Sequence, residues 1–159
     1  MIRLRNYLKE KSLVNLCVDE DDILVEQKKI IKKKKLLKDI VFSYYRKFIS
    51  FDELYFSGEG KKVELGAGTS LIKELFPEVV TTDIRSHRDL DCTIDSQDMN
   101  FKNESIRSIL VFNCFHHFPK PHLFFKELQR VLIPGGVCVL IEPYFGLFSR
   151  WFFNRLPET

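Results

Sequence analysis

Apolar positions change their period partway along this chain, and the change divides it in two. Apolar or aromatic residues recur at Ile23, Ile30, Leu37, Val41, Tyr44 and Phe48, at spacings of three, four and seven. Those spacings stack side chains on one face of a helix. Asp19, Glu20, Asp21 and Asp22 precede the stripe. They suit a helix N-terminus, where the macrodipole favours each negative charge by about 0.3–1 kcal/mol. Gln27 and Lys34 interrupt the stripe, but no Pro or Gly does so before Gly58. One long helix and two shorter ones both satisfy the pattern.

From Gly58 onward, short apolar runs alternate with turns and short helical patterns. The runs predict strands over Lys61–Leu65, Glu78–Thr82, Leu90–Ile94, Ser105–Phe112 and Gly136–Glu142. Helical spacing predicts helices over Ser70–Phe76, Pro119–Leu132 and Phe145–Leu156. Such alternation implies an α/β fold, doubly wound around a mainly parallel sheet of order 3-2-1-4-5. A parallel crossover needs about a dozen residues or more. Only Asp83–Asp89 join the second and third strands, and little more precedes Ser105, so loops are expected there in place of helices. Residues 1–57 then form a helical lead-in and residues 58–159 a ligand-binding domain.

Composition narrows the class. Hydrophobic residues make up 45% and charged residues 30%, a globular balance, and fifteen Phe supply much of the apolar bulk. No apolar run approaches the roughly 18 residues of a membrane span, because Glu142 and Pro143 end the run from Val137 to Ile141. A soluble, cytoplasmic protein is expected. Cys17, Cys92, Cys114 and Cys138 include no C-x-x-C pair, so no metal site is expected. The net charge of +3 is concentrated in Lys28, Lys29 and Lys32 to Lys35. Such a run is a solvated helix face, or a basic face toward an anionic membrane or nucleic acid. Without interleaved aromatics, the solvated face is preferred and no nucleic-acid partner is expected.

The chemistry concentrates after the first strand, in Val63-Glu64-Leu65-Gly66-Ala67-Gly68-Thr69-Ser70. Gly66 and Gly68 permit a tight turn and the close approach of a ligand. A helix beyond them would present free backbone donors. The second strand, Val79-Val80-Thr81-Thr82, ends on Asp83. In doubly wound sheets an acid there accepts hydrogen bonds from ribose hydroxyls. A helix cap or a turn acid is the alternative.

With these residues in place, Lys61–Tyr144 resembles the class I S-adenosylmethionine-dependent methyltransferase family, in its small-molecule branch with type 11-like domains. That family has a Rossmann-like sheet. Its glycine motif opens with an acid, matched by Glu64; its third glycine is replaced here by Ser70. The resemblance implies that Glu64, Gly66, Ala67 and Gly68 cradle S-adenosylmethionine and that Asp83 holds its ribose. It also implies that the Asp95 carboxylate and Ser96 backbone meet the adenine, although Asn100 stands where the family has Pro. Asn113-Cys114-Phe115-His116-His117-Phe118-Pro119 is similar to a family segment at the cofactor pocket, which adds Asn113 to the cofactor-binding residues. Leu128-Gln129-Arg130-Val131-Leu132, followed by Pro134-Gly135-Gly136, resembles the family's passage from helix to fifth strand. Ile141-Glu142-Pro143-Tyr144 and the later Ser149-Arg150 resemble one subgroup.

The expected reaction is methyl transfer to a small-molecule or glycan-like acceptor. No catalytic residue is assigned: His116 and His117 either serve as a base or shape the pocket. The family normally adds two further strands after the fifth, so a C-terminally incomplete domain is expected, its fifth-strand edge covered by a partner or a missing segment. Two rivals remain, a non-catalytic cofactor-binding remnant and a nicotinamide-dependent oxidoreductase. The second would place glycine where Leu71 stands.

Overall fold

The computed structural model describes residues 20–144 and 146. Two helices open the described chain, α1 (Glu20–Lys33) and α2 (Lys35–Tyr55). The long stripe therefore resolves into two helices, separated at Lys34, whose ψ of 95° is extended. Five strands follow: β1 (Lys61–Leu65), β2 (Val80–Asp83), β3 (Cys92–Thr93), β4 (Ile106–Phe112) and β5 (Leu132–Ile141). They form one sheet of order β3-β2-β1-β4-β5, with every pairing parallel. The third helix, α3 (Pro121–Val131), carries Pro at its first turn, where a missing N–H is harmless.

Several boundaries differ from the sequence expectation, each for a local reason. The helix expected over Ser70–Phe76 is a single 3-10 turn, Leu71–Glu74. Ser70 has a left-handed φ of 51°, and Pro77 forbids helical continuation through the residues before it. The fifth strand starts at Leu132 rather than Gly136. Leu132 is already extended as it leaves α3 and pairs with Ile106. The ladder then bulges, resuming with Val137 opposite Ser108. Gly136 is needed in that bulge, since a Cβ there would lie 2.9 Å from the Arg107 carbonyl oxygen. The second strand begins two residues late, at Val80, and the third shrinks to two residues. Asp19 and the helix expected over Phe145–Leu156 lie outside the described residues, Gly146 apart.

The sheet is buried on both faces. Val63, Leu65, Ile109, Val111, Phe124, Leu128 and Val131 pack together beneath α3. On the other face Leu110 meets Leu71, Ile72, Val79 and, from α2, Phe42, Tyr45, Phe48 and Ile49. Alternate residues of β4 thus enter opposite cores, which explains its continuous apolar run. The lead-in helix α2 shares one core with the sheet. The lysines of α1 largely act as clips: Lys28 Nζ lies 2.8 Å from Asp89 Oδ2 and Lys32 Nζ 2.5 Å from Glu74 Oε1. Among the described residues no helix is long and apolar enough to cross a membrane.

Candidate cofactor site

Strand order reverses at β1, whose successor β2 lies on one side and β4 on the other. Crevices open beyond the carboxyl ends of strands at such a point. Here the crevice is a cavity of about 940 Å³, with α1 and α2 contributing one wall and the ends of β1, β2, β4 and β5 the others. A recess of about 90 Å³ shares Gly66, Asp83 and His117 with it. Glu64, Gly66, Ala67, Gly68, Asp83 and Asn113 all border the main cavity, and Asp95 and Ser96 border the recess. The fold therefore brings every sequence-nominated residue to the main cavity or to the recess that shares part of its lining.

The turn after β1 needs glycine for two reasons. Gly66 has a φ of +67°, and a Cβ on it would lie 2.1 Å from Cys114 Sγ. Gly68, at φ +46°, faces open space up to Leu24 of α1, 3.9 Å from where its Cβ would stand. The donors expected to be free at this turn are partly engaged within it. Ala67 N donates to Thr82 O at 2.8 Å, Ser70 N to Ala67 O at 2.8 Å and Gly68 N to Asp83 Oδ2 at 3.1 Å. With only a 3-10 turn behind them, no helix N-terminus provides an anion site. Asp83 thus has a structural role as well, because Oδ1 accepts from Arg85 N at 3.1 Å. Asp95 likewise closes a turn, accepting from Gln97 N at 2.8 Å through Oδ1.

Glu64 is different. It is 2% exposed, and its Oε2 has no hydrogen-bond partner. Burial pushes its carboxyl up to about 8; a hydrogen bond from Tyr45 works against this and the Asp83 carboxylate adds to it. The same burial, with Glu64 nearby, raises the Tyr45 hydroxyl well above its usual range. Cys114 reports the local field: burial and then the carboxylates of Asp83, Glu142 and Glu64 push its thiol up to about 11. That end of the cavity attracts cations.

Sequence reasoning missed several residues. Glu142, just past β5, accepts through Oε1 from Cys114 N at 2.9 Å and Phe115 N at 2.8 Å. Its Oε2 lies 2.6 Å from His116 Nδ1. Burial opposes its charge, yet the hydrogen bonds from His116, Phe115 and Cys114 outweigh burial and hold the carboxyl below its usual range. An acid at a parallel strand's carboxyl end was the available signal, as for Asp83. His116 is thereby held by Glu142, its ring 4.0 Å from that of His117, and His117 borders both openings. Leu24, Gln27 and Ile31 of α1 also border the cavity, as does the exposed Ile84. No motif marked the α1 residues, since their place depends on how two helices fold back over the sheet.

The comparisons agree with this geometry. Residues 63–140 match the family model described as a methyltransferase domain. A Bacillus halodurans protein assigned as a methyltransferase is 22% identical, covering 70% of this chain and 57% of its own, with a TM-score of 0.54. A Haloferax volcanii complex of the Trm112 methyltransferase activator with its methyltransferase partner gives 16% identity, 87% and 66% coverage, and 0.54. The CurJ carbon methyltransferase gives 19% identity, 84% and 44% coverage, and 0.58. At these identities the likeness establishes the fold, and the chain spans 57% and 66% of the first two relatives' lengths. No curated protein matches the sequence. Glycine bend, strand order and family model agree on a methyltransferase domain over residues 63–140, with a parallel sheet consistent with the class I S-adenosylmethionine-dependent family.

Proposed function

We propose that this chain binds S-adenosylmethionine in the cavity over Gly66–Gly68 and directs its methyl group to a small-molecule or glycan-like acceptor. The observation that carries this reading is Glu64, a buried carboxylate with one oxygen unpartnered at the edge of a cavity. An orphaned buried acceptor is costly unless a ligand satisfies it. An ammonium group suits it, and the surrounding carboxylates of Asp83 and Glu142 suit a cationic ligand generally.

The residues fit the cofactor part by part. Glu64 would accept from its amino group, with Gly66, Ala67 and Gly68 letting it lie close to the backbone. Asp83 would take the ribose hydroxyls, its carboxylate already oriented by Gly68 N and Arg85 N. The recess bordered by Asp95, Ser96 and Ile84 would take the adenine, with Asn113 at the methionine end. When bound, the cofactor supplies an activated methyl on a sulfonium centre, which needs positioning more than acid–base help. The protein's part is to hold an acceptor in line and exclude water beneath α1. No catalytic base is assigned. Nothing observed favours a nicotinamide-dependent oxidoreductase or a non-catalytic remnant.

Calorimetry with S-adenosylhomocysteine tests the binding. Pairing of Glu64 with the ammonium would hold it ionised, so binding at pH 7 should release a proton, detected as heats that vary with buffer ionisation enthalpy. Absence of any binding to folded protein would end the reading. A labelled-methyl assay against crude small-molecule and glycan fractions then tests turnover.

A further inference from the structure

The cofactor motifs account for only one side of the cavity. Its volume, about 940 Å³, is near the top of the ~300–1,000 Å³ spanned by small-molecule sites. The remaining wall is built from Ile31 of α1, Val41 and Tyr44 of α2, Phe112 at the end of β4, Ile141 at the end of β5, and Pro143. Of these, Ile31, Val41, Phe112 and Ile141 are half-buried at the margin of the core beneath α2. Tyr44 and Phe112 are joined as an aromatic pair, centroids 5.3 Å apart and tilted by 44°. A cavity edge of this kind presents apolar surface that a ligand can cover.

Charge accounting points the same way. Glu142 is the carboxylate on this side, and both its oxygens are engaged, by Cys114 N and Phe115 N and by His116. Two lysines of α1 are engaged in ion pairs, Lys28 with Asp89 and Lys32 with Glu74. Lys47 Nζ stands 5.7 Å from the centroid of Tyr44. Among the described residues, the six that form this wall are uncharged; Arg85, which borders the same cavity, stands on the Asp83 side, its Nε 3.9 Å from Asp83 Oδ1. Burying an unpaired charge against it would cost several kcal/mol.

We propose that the wall formed by Ile31, Val41, Tyr44, Phe112, Ile141 and Pro143 is the methyl-acceptor subsite and takes an uncharged, predominantly apolar or aromatic small molecule. This rests on the cofactor reading above and narrows its acceptor. Phosphorylated and other ionic compounds are disfavoured by the same chemistry. His117, bordering both openings, lies at the junction between this wall and the cofactor side.

The test uses the protein saturated with S-adenosylhomocysteine and three probes: 2-naphthol, naphthalene-2-sulfonate and glucosamine. Binding is followed by calorimetry and by chemical-shift changes. 2-Naphthol is expected to bind at least tenfold more tightly than either of the others. Ile31→Lys, and the milder Val41→Thr as a folding safeguard, should weaken 2-naphthol at least tenfold and about threefold respectively. Both should leave S-adenosylhomocysteine affinity within twofold. Equal or tighter binding of the sulfonate or the amino sugar overturns the proposal, as does 2-naphthol binding that neither substitution changes. Failure of S-adenosylhomocysteine itself to bind overturns the cofactor reading and this inference with it, an outcome distinct from the others.

Discussion

Two buried carboxylates, Asp52 and Glu64, are at most 2% exposed, yet they are treated in opposite ways. Asp52, at the starting ends of β1 and β4, is surrounded by cations. Arg107 Nε donates to its Oδ1 at 2.9 Å, while Arg107 Nη2 and Lys62 Nζ stand 2.9 and 3.4 Å from Oδ2. Arg107 also donates to the carbonyls of Gly58 and Phe56 and lies 5.1 Å from the Phe56 ring centroid. Glu64, toward the strands' carboxyl ends, meets no cation; it has a tyrosine hydroxyl, another carboxylate and an unsatisfied oxygen. One end of the sheet is closed by a charge-paired network that ties α2 to β4, in which Asp52 Oδ2 has cations beside it although no hydrogen bond reaches it. The other end leaves the Glu64 carboxyl without a cation beside a cavity. A structural site supplies its buried carboxylate with countercharge, whereas a binding site can leave that to the ligand.

Breaking the charge-paired network should have the largest effect. Arg107→Met leaves Asp52 buried beside Lys62 alone, and a loss of about 3–5 kcal/mol is expected in urea unfolding. Restoring charge balance with Asp52→Asn in the same chain should recover part of that loss, sharpening the assignment to the pair.

The carboxyl without a cation should appear in the pH dependence of stability without ligand. Glu64 has a folded value of about 8, against 4.5 for the ordinary group. The folded state therefore holds its proton more tightly than the unfolded one. The stability this contributes is fully present below pH 4.5 and is lost as pH rises toward 8, on the order of a few kcal/mol. Glu64→Gln should flatten this part of a chemical-denaturation profile; an unchanged slope would assign the pH dependence elsewhere.

The same substitution removes the acceptor for the cofactor's amino group. S-adenosylhomocysteine should bind Glu64→Gln roughly ten- to a hundredfold more weakly, in line with a charged hydrogen bond of about 1.5–3 kcal/mol. The calorimetric proton release should vanish with it. Smallest is the effect of the surface clips. Lys28→Ala removes the ion pair to Asp89 and should cost about 0.2–1 kcal/mol, less at high salt.

Much of the fold was legible because strands and turns carry local signals. β1 matched at both ends, and β4 at one end and within a residue at the other. β1 places Val63 and Leu65 just before Gly66, and β4 ends in the apolar run Ile109–Phe112 before Asn113. The glycine bend was legible because only glycine tolerates the crowding at Gly66 by Cys114 Sγ. Less legible was the length of the segment after it, where a helical pattern from Ser70 to Phe76 reduced to one turn before Pro77. The apolar stripe of the lead-in was also divided differently from its linear reading. Phe42, Phe48 and Ile49 face the core, Tyr45 is buried there while also bordering the cavity, and Val41 and Tyr44 border the cavity.

The amino-acid sequence by itself determined the parallel sheet and the bend at Gly66–Gly68, because backbone sterics and side-chain period act over a few residues; Asp83 was marked by its strand end and Glu64 by the family resemblance. Tertiary structure alone decided that Asp52 meets Arg107 across 55 positions, that Glu142 organises Cys114, Phe115 and His116, and that α1 roofs the cavity. Those relations depend on which elements pack side by side, and long-range proximity leaves no periodic trace along a single chain.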